Sequence, residues 1–217
     1  MTRWFTADLH LGHANIIRHC ERPWEDVQQM DDALIANVNA SVAPSDELWV
    51  LGDFSMRPLD EVRAYRERIE CRNVYLVRGN HDKDFGPSGQ SSPWSGEWDY
   101  HVLKGERRLV LFHYPIVEPE WAGGYHGSIH LHGHIHSTGA YNEENRRKKF
   151  ADRFPEGHAP RQPELGLRIY DVGVDANRYR PVSLEEIAAF LGLAPQGGDA
   201  EESDCVPENA EKPPGIH

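Results

Sequence analysis

Residues 128–137 read SIHLHGHIHS, with His130, His132, His134 and His136 at every second position. Alternate side chains of an extended strand share a face, so this register aims a row of imidazoles at one side of a sheet. A solvated strand face carries the same pattern. The row gains meaning only if other parts of the chain supply partners for it.

Five further runs have the character of the SIHLH segment at 128–132: RWFTA (3–7), ELWVL (47–51), NVYLV (73–77), RLVLF (108–112) and LRIYDV (167–172). Their β-branched and aromatic content and near-continuous apolarity predict strands buried on both faces. Between them, Met30, Leu34, Ile35, Val38 and Val42 form one helical stripe over 30–42, and Leu59, Val62 and Ile69 form another over 59–70. Ser183 and Glu186 make a capping box ahead of Leu184, Ile187 and Leu191, with Gly192 near the stop. Strands alternating with helices, then strand following strand, imply an α/β fold with a mixed-sheet sandwich. Residues 140–166, with NRRKKFADR and then Pro and Gly, read as an exposed loop, and 195–217 as an acidic, Pro- and Gly-rich disordered tail.

The chain of 217 residues, 39% hydrophobic and 27% charged, suits a single α/β unit with a real core. No run approaches the roughly 18 apolar residues of a membrane helix. The start, MTRWFTADLH, lacks a signal-peptide pattern, so a cytoplasmic protein without membrane contact is expected. Cys20, Cys71 and Cys205 are far apart and odd in number, which leaves any metal to His, Asp and Asn. Of the net charge of −12, the tail carries six acids against Lys212. The body remains acidic, which disfavours a broad duplex-binding surface while leaving a local nucleic-acid contact open.

Polar residues follow each strand: Asp8 and His10 the first, Asp53 the second, Asn80, His81 and Asp82 the third, His113 the fourth, His134 and His136 the fifth. Ligands of α/β sheets gather beyond the carboxyl ends of strands, so these residues point at one crevice. Carboxylate, imidazole and amide oxygen suit a pair of divalent cations such as Mn²⁺, Fe or Zn²⁺, with a carboxylate able to bridge.

The segments DLH (8–10), GDF (52–54), GNHD (79–82), HYP (113–115) and GHIH (133–136), in that order, resemble the five signatures of the calcineurin-like metallophosphoesterases. VGVDANRYRPVSLEEI (172–187) resembles the closing segment of a small bacterial and phage branch. The resemblance implies a four-layer αββα sandwich of two mixed sheets flanked by helices, spanning a domain over 1–194. It implies that Asp8, His10 and His136 hold one metal, that Asn80, His113 and His134 hold the other, and that Asp53 bridges. Mn²⁺ is favoured over Fe, Zn²⁺ or Ni²⁺. A hydroxide bridging the two metals would attack phosphorus, with Asp53 and Asn80 in the catalytic set and His81 assisting the leaving oxygen.

The expected substrate is a phosphodiester or small nucleotide. A nuclease on the same ligands is one alternative, and a non-enzymatic docking protein is another. Arg57 and Arg78 are candidate phosphate contacts, because a planar fork suits a phosphate. The stretch GDFSMRP keeps Arg57 but has Met56 where protein Ser/Thr phosphatases resembling it have a second Asp, which argues against a phosphoprotein substrate. Gly133 is read as the turn that lets His134 and His136 face different ions. His130 and His132 are assigned to hydrogen bonding behind the ligands or to packing on the strand face. Asp82 is read as orienting an imidazole or capping the helix that follows, Arg146–Lys149 as a solvated loop in preference to a guide for a polyanion, and Asn177, Tyr179 and Arg180 as a rim or a turn.

Overall fold

The computed structural model describes residues 1–83, 92–105, 107–116, 121–149 and 166–193. The runs foreseen as strands form β1 (Arg3–Thr6), β2 (Glu47–Val50), β3 (Asn73–Val77), β6 (Leu109–Phe112), β7 (Ile129–His132) and β8 (Ile169–Asp171). Shorter strands β4 (Gly96–Trp98), β5 (Tyr100–Leu103) and β9 (Val182–Ser183) take their form by pairing with these neighbours. A five-stranded sheet has the order β4-β3-β2-β1-β9, parallel except for β9, and a four-stranded sheet has the order β5-β6-β7-β8, parallel except for β5.

Parallel sheets need cover on both faces, and the apolar pattern supplies it. Phe5, Trp49, Leu51 and Val77 of the first sheet meet Leu109, Leu111, Ile129 and Leu131 of the second in the core between them. On its outer face the first sheet presents Leu48, Val50, Val74 and Leu76 to helices α1 (Ala14–His19), α2 (Val27–Ser41) and α3 (Leu59–Glu67), through Ile16, Met30, Leu34, Val38 and Val62. Each such side chain, fully buried, contributes about 1.5–3 kcal/mol. The second sheet's outer face, with Val110 and Ile169, is covered by Trp121, Leu167 and helix α4 (Gly139–Arg147). The result is the four-layer αββα sandwich expected from the sequence. Helix α5 (Leu184–Phe190) closes one side, and its capping box is present: Ser183 Oγ accepts the Glu186 N–H at 3.1 Å and Glu186 accepts the Ser183 N–H at 2.8 Å. No helix among the described residues is long and apolar enough to cross a membrane.

One expectation fails. Residues 139–147, read as loop from 140 onward, are helix α4, because its anchoring is polar rather than apolar. Asn142 is 3% exposed, donates to the Asp171 carbonyl at 2.9 Å and accepts the Asp171 N–H at 2.8 Å. It thereby occupies the free edge of β8 as a strand would, and hydrophobic periodicity cannot register such a contact. The remainder of that loop at 150–165 and the tail at 195–217 lie outside the described residues.

The histidine row splits at Gly133. Ile129 and Leu131 face the intersheet core, so His130 and His132 face the outer side of β7, fully buried. His130 Nδ1–H donates to the Val110 carbonyl at 3.1 Å and its Nε2 accepts the Ile116 N–H at 3.0 Å, which fixes the neutral tautomer. His132 Nδ1–H donates to the Gly133 carbonyl at 2.9 Å. Burial pushes His130 down to about 3 and His132 down to about 4. Because both folded values lie below the unfolded one near 6.5, their contribution is complete above pH 6.5 and is lost as pH falls below it. Each residue costs up to about 1.4 kcal/mol per pH unit over that window. His130→Gln should therefore flatten the decline in stability between pH 6.5 and 4.5 by one proton's slope. Urea midpoints for the two proteins in chelator would read this, and parallel pH profiles would refute it.

Candidate metal centre

The carboxyl ends of β1, β2, β3, β6 and β7 carry Asp8 and His10, Asp53, Asn80 and His81, His113, and His134 and His136, and the fold brings them all to one crevice. Immediately after a strand a side chain must turn back over the sheet edge, and the backbone does so by entering the left-handed region. Asp8, His10, Asp53, His134 and His136 have φ of 59°, 52°, 53°, 75° and 46°. Such values are uncommon outside Gly and cost about 1–3 kcal/mol each, and they gather at functional sites. This corrects the reading of Gly133: the two histidines make the turn themselves. Gly133 is needed because a Cβ there would lie 2.5 Å from Ala7 Cβ and 2.7 Å from Asp8 Oδ2. At Gly52, φ of 90°, a Cβ would collide with the His113 ring.

Two donor sets able to hold a cation lie side by side, Asp8 with His10 and His136, and Asp53 with His113 and His134. His10 Nε2 and His136 Nε2 face each other at 3.2 Å, as do His134 Nδ1 and His113 Nε2. Asn80 Oδ1 lies 3.2 Å from His113 Nε2. Asp53 Oδ2 stands 3.4 Å from His10 Nε2 and 3.5 Å from His113 Nε2, between the sets.

Lone pairs aimed at one another in a buried site suit a shared cation, since imidazole ligates in its neutral form. Burial holds His10 neutral, at about 3. It also pushes Asp8 up to about 7, against the pull of His136 and His113, a penalty that an adjacent cation relieves. At Asp53 burial acts upward too, but His113 and the His81 N–H outweigh it and hold the carboxyl at about 2. His113 Nδ1–H donates to the Leu51 carbonyl at 2.9 Å, leaving Nε2 for the crevice.

Residues behind the donors hold these conformations. Among the described residues Asp82 bonds to backbone rather than to an imidazole, and the stretch where it would cap a following helix lies outside them. Its carboxylate accepts the N–H groups of Asp53, Phe54 and Gly79 at 2.8, 2.9 and 2.8 Å, tying the loop after β2 to the loop after β3. Arg22 and Asp175, which sequence reasoning missed, form a second brace. The Arg22 guanidinium, 0% exposed, binds both Asp175 oxygens at 2.9 Å and donates to the Asp8 and Leu9 carbonyls at 2.7 and 3.0 Å. Asp175 in turn accepts His136 Nδ1–H at 2.8 Å, which points Nε2 at the crevice. The available signal was Asp175 within VGVDANRYRPVSLEEI and a lone Arg22 outside every quoted segment, and nothing local links the two.

Cys20, His136 and Asp175 also lie within ligand distance of one another. They make a poor cation site, since Asp175 is committed to Arg22 and His136 while burial pushes the Cys20 thiol up to about 11.

His81 donates its N–H to Asp53 Oδ1 at 3.0 Å, and its half-buried ring stands edge-on to His10 at 5.2 Å, outside both donor sets. Both candidate arginines are engaged by acids: Arg57 with Glu61 at 2.8 and 3.0 Å, Arg78 with Asp99 at 2.7 Å. In the basic run, Arg146 meets Glu143 at 2.7 Å and Lys148 meets Glu144 at 2.5 Å, on the helix surface. Asn177 makes a turn rather than a rim, binding the carbonyls of Asp171 and Gly173 at 2.9 and 2.8 Å.

An uncharacterized protein of Methanocaldococcus jannaschii is 28% identical over 190 residues, 87% of this chain and 90% of its own. The gene 66 protein of Mycobacterium phage D29 is 28% identical over 162 residues, 62% of this chain and 78% of its own. Among solved structures, a protein of unknown function from Aquifex aeolicus superposes with a TM-score of 0.61 at 23% identity, over 87% of this chain and 98% of that one, and so shares the fold. The sequence model of the calcineurin-like phosphoesterases matches residues 1–162, a span that contains all the strand ends feeding the crevice, and the chain belongs to that family.

Proposed function

We propose that this protein is a metal-dependent phosphodiesterase in which Asp8, His10 and His136 hold one divalent cation, Asn80, His113 and His134 hold another, and Asp53 serves both. The observation that carries this reading is the single Asp53 oxygen facing one histidine of each donor set, 3.4 Å from His10 and 3.5 Å from His113. Mixed carboxylate, amide and imidazole donors fit Mn²⁺ first, with Fe, Zn²⁺ and Ni²⁺ as competitors. Two such cations, when bound, polarise a phosphoryl group and lower the pKa of water to about 7.

The chain's own residues supply the rest. Asp53, fixed through its other oxygen by the His81 N–H, cannot swing out of the crevice. The His81 ring, 5.2 Å from that of His10 and outside both donor sets, is the group we assign to protonating a departing oxygen. His113 and His10 are buried, so bulk water does not compete for their ring nitrogens from behind. Arg57 and Arg78 reach a phosphate only by leaving their carboxylates, so they take second place to the cations as phosphate contacts. A diester or small nucleotide is favoured over a phosphoprotein, since Met56 stands where the phosphatases have a second Asp.

Two outcomes are expected. His81→Ala should retain both Mn²⁺ ions by elemental analysis yet lower turnover of a chromogenic phosphodiester by about 10²-fold or more; loss of a metal would make His81 a ligand instead. Asp175→Asn, which keeps the shape but weakens the hold on His136, should reduce Mn²⁺ affinity by about 10–100-fold at one site and spare the other. Titration followed by Mn²⁺ paramagnetic resonance separates the two sites, and equal loss at both would count against the assignment of His136 to a single ion.

A further inference from the structure

Three aromatic rings lead away from the donor cluster along the four-stranded sheet. Tyr114 follows His113 directly, and its ring centroid lies 4.6 Å from that of His134. Phe112 is 5.3 Å from Tyr114, and Tyr100, opposite Phe112 in the β5–β6 register, is 5.8 Å from Phe112. The planes meet at 61°, 58° and 64°, so none of these neighbours covers another by parallel stacking. Tyr114 is 37% and Tyr100 41% exposed.

Beside this row lies a cleft of about 270 Å³ lined by Arg78, Gly79, Asp82, Asp99, Phe112 and Tyr114. Gly79 and Tyr114 are chain neighbours of Asn80 and His113, so two strand ends that feed the donor cluster also build the cleft. Among the described residues Arg78 is its lining cation, and it is answered by Asp99 at 2.7 Å and Glu97 at 3.6 Å. A second phosphate placed there would have to compete with Asp99 and Glu97 for Arg78, whereas a neutral planar group would meet the rings of Phe112 and Tyr114 without displacing that pairing.

We propose that this cleft seats the nucleobase of a nucleoside phosphodiester whose phosphorus lies at the donor cluster. The proposal rests on the phosphodiesterase reading and narrows its substrate class. Base stacking on aromatic side chains is tolerant of base identity and strong enough to set a preference. Tyr100, at the outer end of the row, offers a second base position that only a strand of nucleotides would reach.

The test uses Mn²⁺-loaded protein and two diesters with a common leaving group, thymidine 5′-(p-nitrophenyl phosphate) and methyl p-nitrophenyl phosphate. The nucleoside ester should be cleaved with a kcat/KM about 10-fold or more above the methyl ester. Phe112→Leu, whose ring neighbours are Tyr100 and Tyr114, should remove most of that preference while leaving methyl ester turnover unchanged. Cleavage of both esters at equal rates, or a preference that survives both Phe112→Leu and Tyr114→Leu, would overturn the proposal.

A second readout is independent of turnover: anisotropy of a labelled thymidine octamer with hydrolysis-resistant methylphosphonate linkages, beside its abasic counterpart. Tighter binding of the thymidine form, weakened about 10-fold by Phe112→Leu, supports the base seat even if neither diester is cleaved, in which case the catalytic reading alone fails. No preference over the abasic form overturns the seat. Tyr100→Ala separates the sources: weaker octamer binding with intact nucleoside-ester turnover identifies a single strand, and no effect on either identifies a mononucleotide ester.

Discussion

The donor cluster exists because five of its side chains sit on left-handed backbone. Asp8, His10, Asp53, His134 and His136 each leave a strand and turn at once, a conformation that L-residues avoid and that extended or helical neighbours cannot impose. Something must hold them there. The Asp82 carboxylate grips the loop after β2 through consecutive N–H groups, and Asp8 accepts the His134 N–H at 3.0 and 2.9 Å. The turns at Asp53 and His134 are thus tied to a neighbouring strand end by a carboxylate, and those at Asp8 and His10 by the Gly52 and Asp53 carbonyls, so two acids of the crevice build it as well as line it.

The sheets make this possible. Their parallel strands end on the same side, and the bridge between Ala7 and Gly173 joins the first sheet to the chain leaving β8 at the floor of the crevice. A Cβ on Gly173 would lie 2.7 Å from Asp8 Oδ2, so the floor is as tight as the backbone allows. Closely packed surroundings of this kind convert a small shift of one loop into a displaced donor, because interiors at organic-crystal density do not deform smoothly.

Much of this was legible in the sequence. The six apolar runs and the capping box at Ser183 announce themselves through periodicity and local chemistry, and the ordered polar residues after each strand announce a shared crevice. What was illegible is held by polar contacts across long separations. Helix α4 is anchored by an asparagine on a strand edge, and β4, β5 and β9 exist only because a partner strand is present. Arg22 and Asp175 lie 153 residues apart, and neither has a local pattern that reveals the other. The histidine row shows both cases within one segment: the GHIH resemblance separates His134 and His136 from His130 and His132, but the backbone groups that hold the first pair are visible only in the fold.

The brace between Arg22 and Asp175 also sets an order of events during synthesis. All the candidate donors have left the ribosome once residue 136 is free, but the carboxylate that orients His136 arrives almost forty residues later. A nascent chain at that stage carries imidazoles and carboxylates without the lock that aims them. On the proposed metal reading, capture of cations in their final arrangement would therefore wait for β8 and the turn after it, so a site encoded mostly in the first part of the domain would be completed by its last.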